Sequence, residues 1–200
     1  LQTFQDYELI IVDSASSDET ISIISYYKYL FGNKLKWISE KDNGIYDAWN
    51  KAIIISSGAW ICFIGSDDFF TNDALEKYIS CASKNKDANF ISSQCLLVDK
   101  NYRPIRTYGK PWSKSMFKYC CIAHVGSFHK RILFKTPPFF DIKYKITSDY
   151  DFLLNNFDVI NPVYLDSLTA TVMNTGISGS NIFFVSYERL IVKLKYKLRP

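Results

Sequence analysis

Between Ala59 and Asp68 the chain reads AWICFIGSDD, an unbroken apolar run from Trp60 to Ile64 that stops at Gly65, Ser66 and two adjacent acids. Such a run is far short of the roughly 20 residues a helix needs to span a bilayer, and it reads as a buried strand. A strand hidden on both faces belongs to a parallel sheet covered by helices. Ligands of such sheets gather beyond the carboxyl ends of the strands, where Asp67 and Asp68 stand here. Adjacent carboxylates repel, so the pair calls for a cation, and a hard divalent ion with oxygen ligands suits it. The plainer alternative is that one acid caps the next helix.

The flanking sequence repeats the pattern. Glu8–Val12, ELIIV, is a second buried strand, ending at Asp13. In the following SASSDET, Ser17 or Asp18 can cap a helix reaching Phe31, with Ile23, Ile24, Tyr27 and Leu30 as its apolar stripe. Leu35–Ile38 is a short strand, SEKDNG a turn, and Ile45–Ser56 a helix with Ile45, Trp49 and Ile53 facing inward. Strand, helix, strand, helix, strand with short connections is the signature of an open α/β sheet.

Beyond Asp68 a helix is expected from Asn72 or Asp73 to Ser83. Strands follow at Phe90–Val98, Ile105–Tyr108 and Ile122–Phe128, then at Val159–Leu165 and Thr169–Met173. Helical segments are expected at Ser113–Cys120, Lys130–Lys135 and Asp149–Asn156, the last capped by Thr147 or Ser148. A loop, NTGISGSN, spans Asn174–Asn181, and a final helix carries Arg189, Lys193, Lys195, Lys197 and Arg199. Two hundred residues suit one domain, whose second half is less regular than its first.

Composition excludes more than it selects. The net charge of +4 is spread too thinly to argue for nucleic acid. Five cysteines without a CxxC pair read as buried thiols of a reducing compartment rather than a disulfide framework or zinc site. With no signal peptide or membrane-spanning run visible, the sequence reads as cytoplasmic. A nucleotidyltransferase is disfavoured because no glycine- and lysine-rich phosphate loop occurs.

Asp13 and the Asp67–Asp68 pair each end a buried strand, so in a parallel sheet they face one crevice, which Asp42 can join from its turn. An acid-lined crevice repels bare phosphate and suits a nucleoside diphosphate only when a metal bridges the charges. Asp13 can instead accept hydrogen bonds from a base N–H or a ribose hydroxyl.

Five blocks, YELIIVDSASSDET, SEKDNGIYDAWNKAI, SSGAWICFIGSDD, HVGSFHKRILF and YKITSDYDFLL, follow in the order found in family 2 glycosyltransferases. From about Gln2 to Ser180 the chain resembles the branch that builds bacterial capsular and exopolysaccharides. The resemblance implies a GT-A fold, a Rossmann-like nucleotide-binding sheet with helices on both faces plus a less regular acceptor-binding half. It divides the chain into a nucleotide-sugar-binding half (1–88), an acceptor-binding half (89–181) and a basic C-terminal helix (182–200). It further implies that Asp13 contacts the nucleotide base, Asp18 caps its loop, Asp42 lines the nucleotide pocket and Asp67 reaches the ribose. Asp68 would bind Mg²⁺ or Mn²⁺, with Ser66 standing where some relatives carry a first acid. Asp149 matches the general base of inverting relatives, with Asp151 a nearby rival.

The donor implied is a nucleotide-sugar, UDP-linked, and the acceptor a glycan or polyprenyl-linked hydroxyl. His124 is either a core histidine or a residue near the acceptor or metal, and His129, beside Lys130 and Arg131, is expected on a solvated face. Trp49 is core by period, whereas Asn50 caps or lines the pocket. The terminal helix is a solvated face or a peripheral contact with the inner face of the membrane.

The family pattern opens with a further strand and helix, carrying a TxYN-like nucleotide contact, ahead of the region matching Gln2. That strand would lie between those of Glu8–Val12 and Ala59–Ile64, so its loss would open an edge on each. On this reading the sequence is a fragment of a longer protein, and its 200 residues alone would be poorly stable and weakly active. A non-catalytic relative serving as a binding module in a polysaccharide assembly complex is the alternative function.

Overall fold

In the computed structural model, which describes residues 2–176 and 182–196, the first half builds two βα units. Strand β1 (Leu9–Asp13) leads through helix α1 (Thr20–Phe31) to strand β2 (Leu35–Ser39), which pairs with β1 in parallel, Ser39 opposite Asp13. Helix α2 (Ile45–Ile55) follows and packs on β1, while α1 packs on β2. The apolar period of α2 sits one residue later than the sequence suggests. Tyr46, Asn50 and Ile53 form its buried face, and Ile45 is left exposed.

The second sheet holds the rest. Strand β3 (Trp60–Ile61) is its edge, followed in space by β7 (Ser127–Lys130), β5 (Phe90–Val98), β8 (Pro162–Met173) and β4 (Phe69–Phe70). Strand β6 (Pro104–Tyr108) shares the β7 side of β5, higher along the strand. Only β5 and β8 run parallel; β3 pairs antiparallel with β7 and β4 antiparallel with β8. Helix α3 (Ala74–Lys84) joins β4 to β5, and helix α4 (Ser148–Asn155) precedes β8. Helix α5 (Ile182–Tyr196) closes the described chain. Phe90 and Ile91, successive on β5, point to opposite faces. Phe90 enters an aromatic core with Phe134, Phe140 and Phe152, and Ile91 packs with Tyr78 and Phe128 beneath α3.

Several expected elements differ. The Ala59–Ile64 strand shrinks to two residues and is not parallel, because Phe63 turns into the aromatic core instead of continuing a ladder. The segment Ile122–Phe128 becomes a strand only at Ser127, with His124 in the preceding turn, where its carbonyl accepts Ser127 N–H at 3.0 Å. The two strands expected between Val159 and Met173 are one, and the helices at Ser113–Cys120 and Lys130–Lys135 tighten to 3₁₀ turns at Lys114–Phe117 and Arg131–Leu133. His129 does not lie on a solvated face. It is fully buried in the aromatic core, and Arg131 beside it spans to Gly58 O (2.7 Å) and Ser56 Oγ (2.6 Å), fastening α2 to β3.

Among the described residues β1 pairs with β2 alone and β3 with β7 alone, so each carries one open edge. Glu8 holds the starts of these strands together: Oε1 accepts Ser57 N–H at 2.6 Å and Gly58 N–H at 2.7 Å, and Oε2 meets Lys36 at 2.7 Å. The stripe of α1 is mostly uncovered. Of its four apolar residues only Ile24 is buried, and the stripe lines an apolar groove of about 280 Å³ with Leu9, Ile11, Phe31 and Leu35.

Candidate active site

The acids singled out by the sequence fall into three groups. Asp13 and Asp42 stand beyond the carboxyl ends of β1 and β2. The Asp13 carboxylate is heavily used: Oδ2 accepts Ser16 N–H (2.9 Å) and Ser39 Oγ–H (2.6 Å), and Oδ1 accepts Ser16 Oγ–H (2.5 Å). The Ser16 and Ser39 hydroxyls and the Ser16 amide hold it below the usual carboxylate range. Asp42 accepts Gly44 N–H at 2.9 Å, forming the turn into α2, where Gly44 adopts φ +112°. Asp18 does not cap α1, whose N-cap is Glu19; it accepts Thr20 N–H at 3.0 Å in the turn that enters the helix.

Asp67 and Asp68 occupy the turn between β3 and β4, whose Asp68 N–H bonds back to Gly65 O at 3.2 Å. Antiparallel pairing of β4 with β8 brings the end of β8 over them. Met173 N–H donates to Asp68 Oδ1 (3.0 Å) and Thr175 Oγ–H to Asp67 Oδ2 (2.9 Å). The other two oxygens converge. Asp68 Oδ2 and Asp67 Oδ1 lie 2.8 and 3.1 Å from where a Cβ on Gly65 would begin. A side chain at that position would push both carboxylates aside. Burial first, and then the charge of Asp67, push the Asp68 carboxyl up against the pull of the Met173 amide. This is a pair of crowded negative charges with two oxygens to spare, a donor set that fits a hard divalent cation. Among the described residues no cluster of three or more His, Cys, Asp or Glu forms a complete metal cage, so remaining ligands would come from water and substrate.

Asp149 lies in the first turn of α4. Its Oδ1 is 3.0 Å from the Tyr46 hydroxyl and its Oδ2 3.9 Å from His124 Nδ1, and 23% of its side chain stays open. Burial outweighs the Tyr150 amide, the Tyr46 hydroxyl and the Arg189 charge, and raises its carboxyl above the ordinary range. Its rival Asp151 is buried and engaged: Lys195 Nζ meets its oxygens at 2.7 and 3.0 Å, and Tyr196 OH lies 3.2 Å from Oδ1.

Aromatic rings connect Asp149 to the acidic turn. His124 stacks on Trp49 (4.8 Å) and faces Phe63 (5.3 Å), two residues before Gly65. Asp13 and Asp42 belong to the other sheet. Asn50 neither caps nor lines a pocket; its amide brackets the Phe140 backbone, donating to Phe140 O and accepting Phe140 N–H, each at 2.8 Å.

Comparison with known proteins places this arrangement. The model of "Glycosyl transferase family 2" matches residues 1–137. The chain belongs to glycosyl transferase family 2. Relatives in the family include a "PGL/p-HBAD biosynthesis glycosyltransferase" of Mycobacterium bovis, 28% identical over 185 residues, covering 91% of this chain and 68% of that protein. An "uncharacterized glycosyltransferase" of Rickettsia typhi is 27% identical over 82% of this chain and 54% of its own length. A chondroitin synthase of Escherichia coli is 37% identical over 38% of this chain and 11% of its own. The fold matches that of S. aureus TarS, a GT-A structure, at a TM-score of 0.67 in its complex with UDP and 0.70 with UDP-GlcNAc, each 18% identical. The alignments cover 99% of this chain and 59% and 60% of the TarS chains.

The sequence missed two residues of the site. Tyr46 was invisible because the apolar stripe of α2 reads equally well one residue earlier. Glu188, on α5, was hidden in a basic helix. Its carboxylate accepts the backbone N–H groups of Lys145 (2.7 Å), Ile146 (2.9 Å) and Thr147 (3.1 Å), the strand of chain that delivers Asp149. The one acid of this helix, three residues after Val185 and four before Val192, was the available signal.

Proposed function

We propose that this chain is an inverting, divalent-metal-dependent glycosyltransferase domain that moves a sugar from a UDP-linked donor to a hydroxyl of a glycan or lipid-linked acceptor in cell-surface polysaccharide synthesis. The observation carrying this reading is the state of Asp149: partly open, oriented by Tyr46, raised by burial, and free of the salt bridge that occupies Asp151. A carboxylate raised toward working pH is a better proton acceptor, because general-base efficiency grows as the pKa approaches that pH. As the acceptor oxygen bonds to the anomeric carbon, its proton passes to Asp149, and the bond from that carbon to the diphosphate oxygen breaks on the opposite face. Attack from the face opposite the leaving group inverts the anomeric centre.

Asp68 and Asp67 would hold Mg²⁺ or Mn²⁺ through the oxygens that converge beside Gly65. Such an ion, when bound, offsets the charge of the departing diphosphate. Asp13 would contact the base, Asp42 would line the nucleotide pocket and Asp67 would reach the ribose. TarS, which shares the fold, was crystallised with UDP and with UDP-GlcNAc, which supports a nucleotide-sugar donor here. The relative named as a chondroitin synthase supports a glycan product.

Helix α5 supports a peripheral contact with a lipid surface. Val185, Glu188, Val192 and Tyr196 are buried, while Phe183, Tyr187, Leu190 and Leu194, on the opposite side, are exposed, Phe183 by 91%. Lys193 borders that apolar stripe, Lys195 is held by Asp151, and the one acid of the helix points inward. Among the described residues no helix is long and apolar enough to cross a membrane. Lys197 and Arg199 lie outside the described residues.

Titration with UDP in the presence of Mn²⁺ and then of chelator, followed by a screen of UDP-sugars for manganese-dependent hydrolysis or transfer, tests the reading. Binding that appears only with the metal, and turnover abolished by Asp149→Asn, are expected. Metal-independent binding, or an unimpaired Asp149→Asn variant, refutes it.

A further inference from the structure

His124 is an imidazole enclosed by aromatic rings. Trp49 stacks on it at 4.8 Å and 18°, Phe63 lies at 5.3 Å and 24°, Phe140 meets it edge-on at 6.2 Å, and His129 stands 5.3 Å away. Both ring nitrogens are out of solvent and neither has a hydrogen-bond partner. A neutral imidazole always carries one N–H, and an orphaned buried donor costs about 1–3 kcal/mol. Phenylalanine would fill the same space without that cost. The nitrogen is therefore retained against packing, and the acceptor beside it is the base: Nδ1 is 3.9 Å from Asp149 Oδ2.

We infer that His124 is a positioning residue for Asp149, its Nδ1–H steadying Oδ2 while the Tyr46 hydroxyl holds Oδ1. A carboxylate gripped at both oxygens cannot rotate about its Cβ–Cγ bond. Its remaining lone pairs keep one direction, toward the open quarter of the side chain where an acceptor hydroxyl would stand. A separation of 3.9 Å is too long for a hydrogen bond, and about 1 Å of side-chain movement on filling the cleft closes it. The tautomer follows. With hydrogen on Nδ1, the nitrogen left without a partner is the bare Nε2, and an unsatisfied acceptor is cheaper to bury than an unsatisfied donor. Burial holds the imidazole at about 3, so the ring stays neutral and leaves the proton to Asp149. On the other side, burial likewise keeps His129 neutral, and Ile61 O stands 3.4 Å from its Nδ1.

This inference rests on Asp149 being the base, and three variants of the protein separate the two ideas. His124→Phe keeps the stacked ring and removes the donor; His124→Asn loses the ring but places an amide N–H where Nδ1 was. If His124 positions the base, His124→Phe loses about 10- to 100-fold in kcat with the donor KM unchanged and the melting temperature equal or higher. His124→Asn then regains most of the lost kcat despite a lower melting temperature. If the ring only packs, the order reverses: His124→Phe matches the native chain and His124→Asn is the poorer enzyme, which overturns the inference. Asp149→Asn tells the failures apart. Full turnover in that variant sinks the base assignment and this inference together. An inactive Asp149→Asn chain beside a fully active His124→Phe chain sinks this inference alone.

Discussion

The Tyr46 hydroxyl, on α2, lies 3.0 Å from Asp149 Oδ1, on α4, although 103 residues separate them along the chain. The same hydroxyl is 2.6 Å from the Ile146 carbonyl, so one phenolic proton serves two acceptors. Burial and the Asp149 charge push the Tyr46 phenol well above its ordinary value, which keeps that proton in place throughout the working range. Donation to Oδ1 favours the ionised carboxylate. Removing it in Tyr46→Phe raises Asp149 further, and a base is useful only above its own pKa. The acidic limb of the kcat profile moves to higher pH, so the variant loses more activity at pH 6 than at pH 8. Stability falls by about 1 kcal/mol for the lost bond. A pH–rate profile whose acidic limb stays fixed contradicts this.

Gly65 makes the acidic turn testable without touching an acid. A methyl at this position meets Asp68 Oδ2 and Asp67 Oδ1 at 2.8 and 3.1 Å, and both are ends of movable side chains. In Gly65→Ala the carboxylates give way while the fold holds. Manganese-dependent UDP binding weakens by roughly tenfold or more, because a ligand set displaced by a fraction of an ångström no longer matches the ion. Calorimetric titration with UDP and Mn²⁺ measures the first effect, and a thermal melt within about 2 °C of the native chain checks the second.

These two positions show what a single sequence can and cannot give. The end of β1 at Asp13 is legible because an apolar run has to stop somewhere, and an acid stops it; the run before Gly65 is read too long, since β3 ends at Ile61. Helices α1 to α4 are legible from apolar period and from the turns between them, though no side chain caps any of the four. Pairing partners are not: whether Trp60–Ile61 runs beside β1 or beside β7 depends on strands distant along the chain, and nothing local encodes that choice. His129 was misplaced for the same reason. Its neighbours Lys130 and Arg131 suggest water, but a strand alternates faces, and His129 points into the ring cluster while Lys130 does not. Tyr46 and Glu188 matter through contacts across the fold, and their residue types alone carry no such information.

Glu188 joins α5 to the loop that carries Asp149. Besides three backbone amides it accepts Thr147 Oγ–H at 3.1 Å. Glu188→Ala strips the partner from three N–H groups, of which that of Thr147 is buried, at roughly 1–3 kcal/mol. The loop carrying Asp149 then loses its anchor. A melting temperature lowered by several degrees should accompany a fall in kcat, with UDP affinity preserved because the acidic turn is untouched. Equal loss of UDP affinity would mean that the helix supports the whole domain rather than this loop.

Glu8 offers a pH-dependent test of how the two sheets are held. Burial alone would raise its carboxyl, but the Lys36 ammonium and the Ser57 and Gly58 amides overcome it and hold Glu8 at about 2. A carboxylate depressed on folding stabilises at pH values above its unfolded value near 4.5 and loses that contribution as pH falls toward about 2. Glu8→Gln should therefore cost about 2 kcal/mol at pH 7 and progressively less between pH 4.5 and pH 2. Denaturant melts of both chains across that range, converging at the acid end, are the expected result; parallel curves would deny Glu8 its role.

The exposed stripe of α5 can be separated from its docked face. Leu190 and Leu194 are about half exposed and lie on the side away from Val192 and Tyr196, so replacing both by serine leaves the helix seated. If the stripe rests on lipid, each leucine withdraws part of its surface from water, worth about 1 kcal/mol apiece, and Lys193 adds attraction to anionic headgroups. Leu190→Ser with Leu194→Ser should then weaken sedimentation with phosphatidylglycerol vesicles by roughly tenfold or more, with the melting temperature unchanged. Salt should weaken binding of the native chain, since the lysine contribution is screened while the apolar one is not. Native and double-variant chains that both stay in the supernatant would remove the membrane from the proposal and leave the transfer chemistry as it stands.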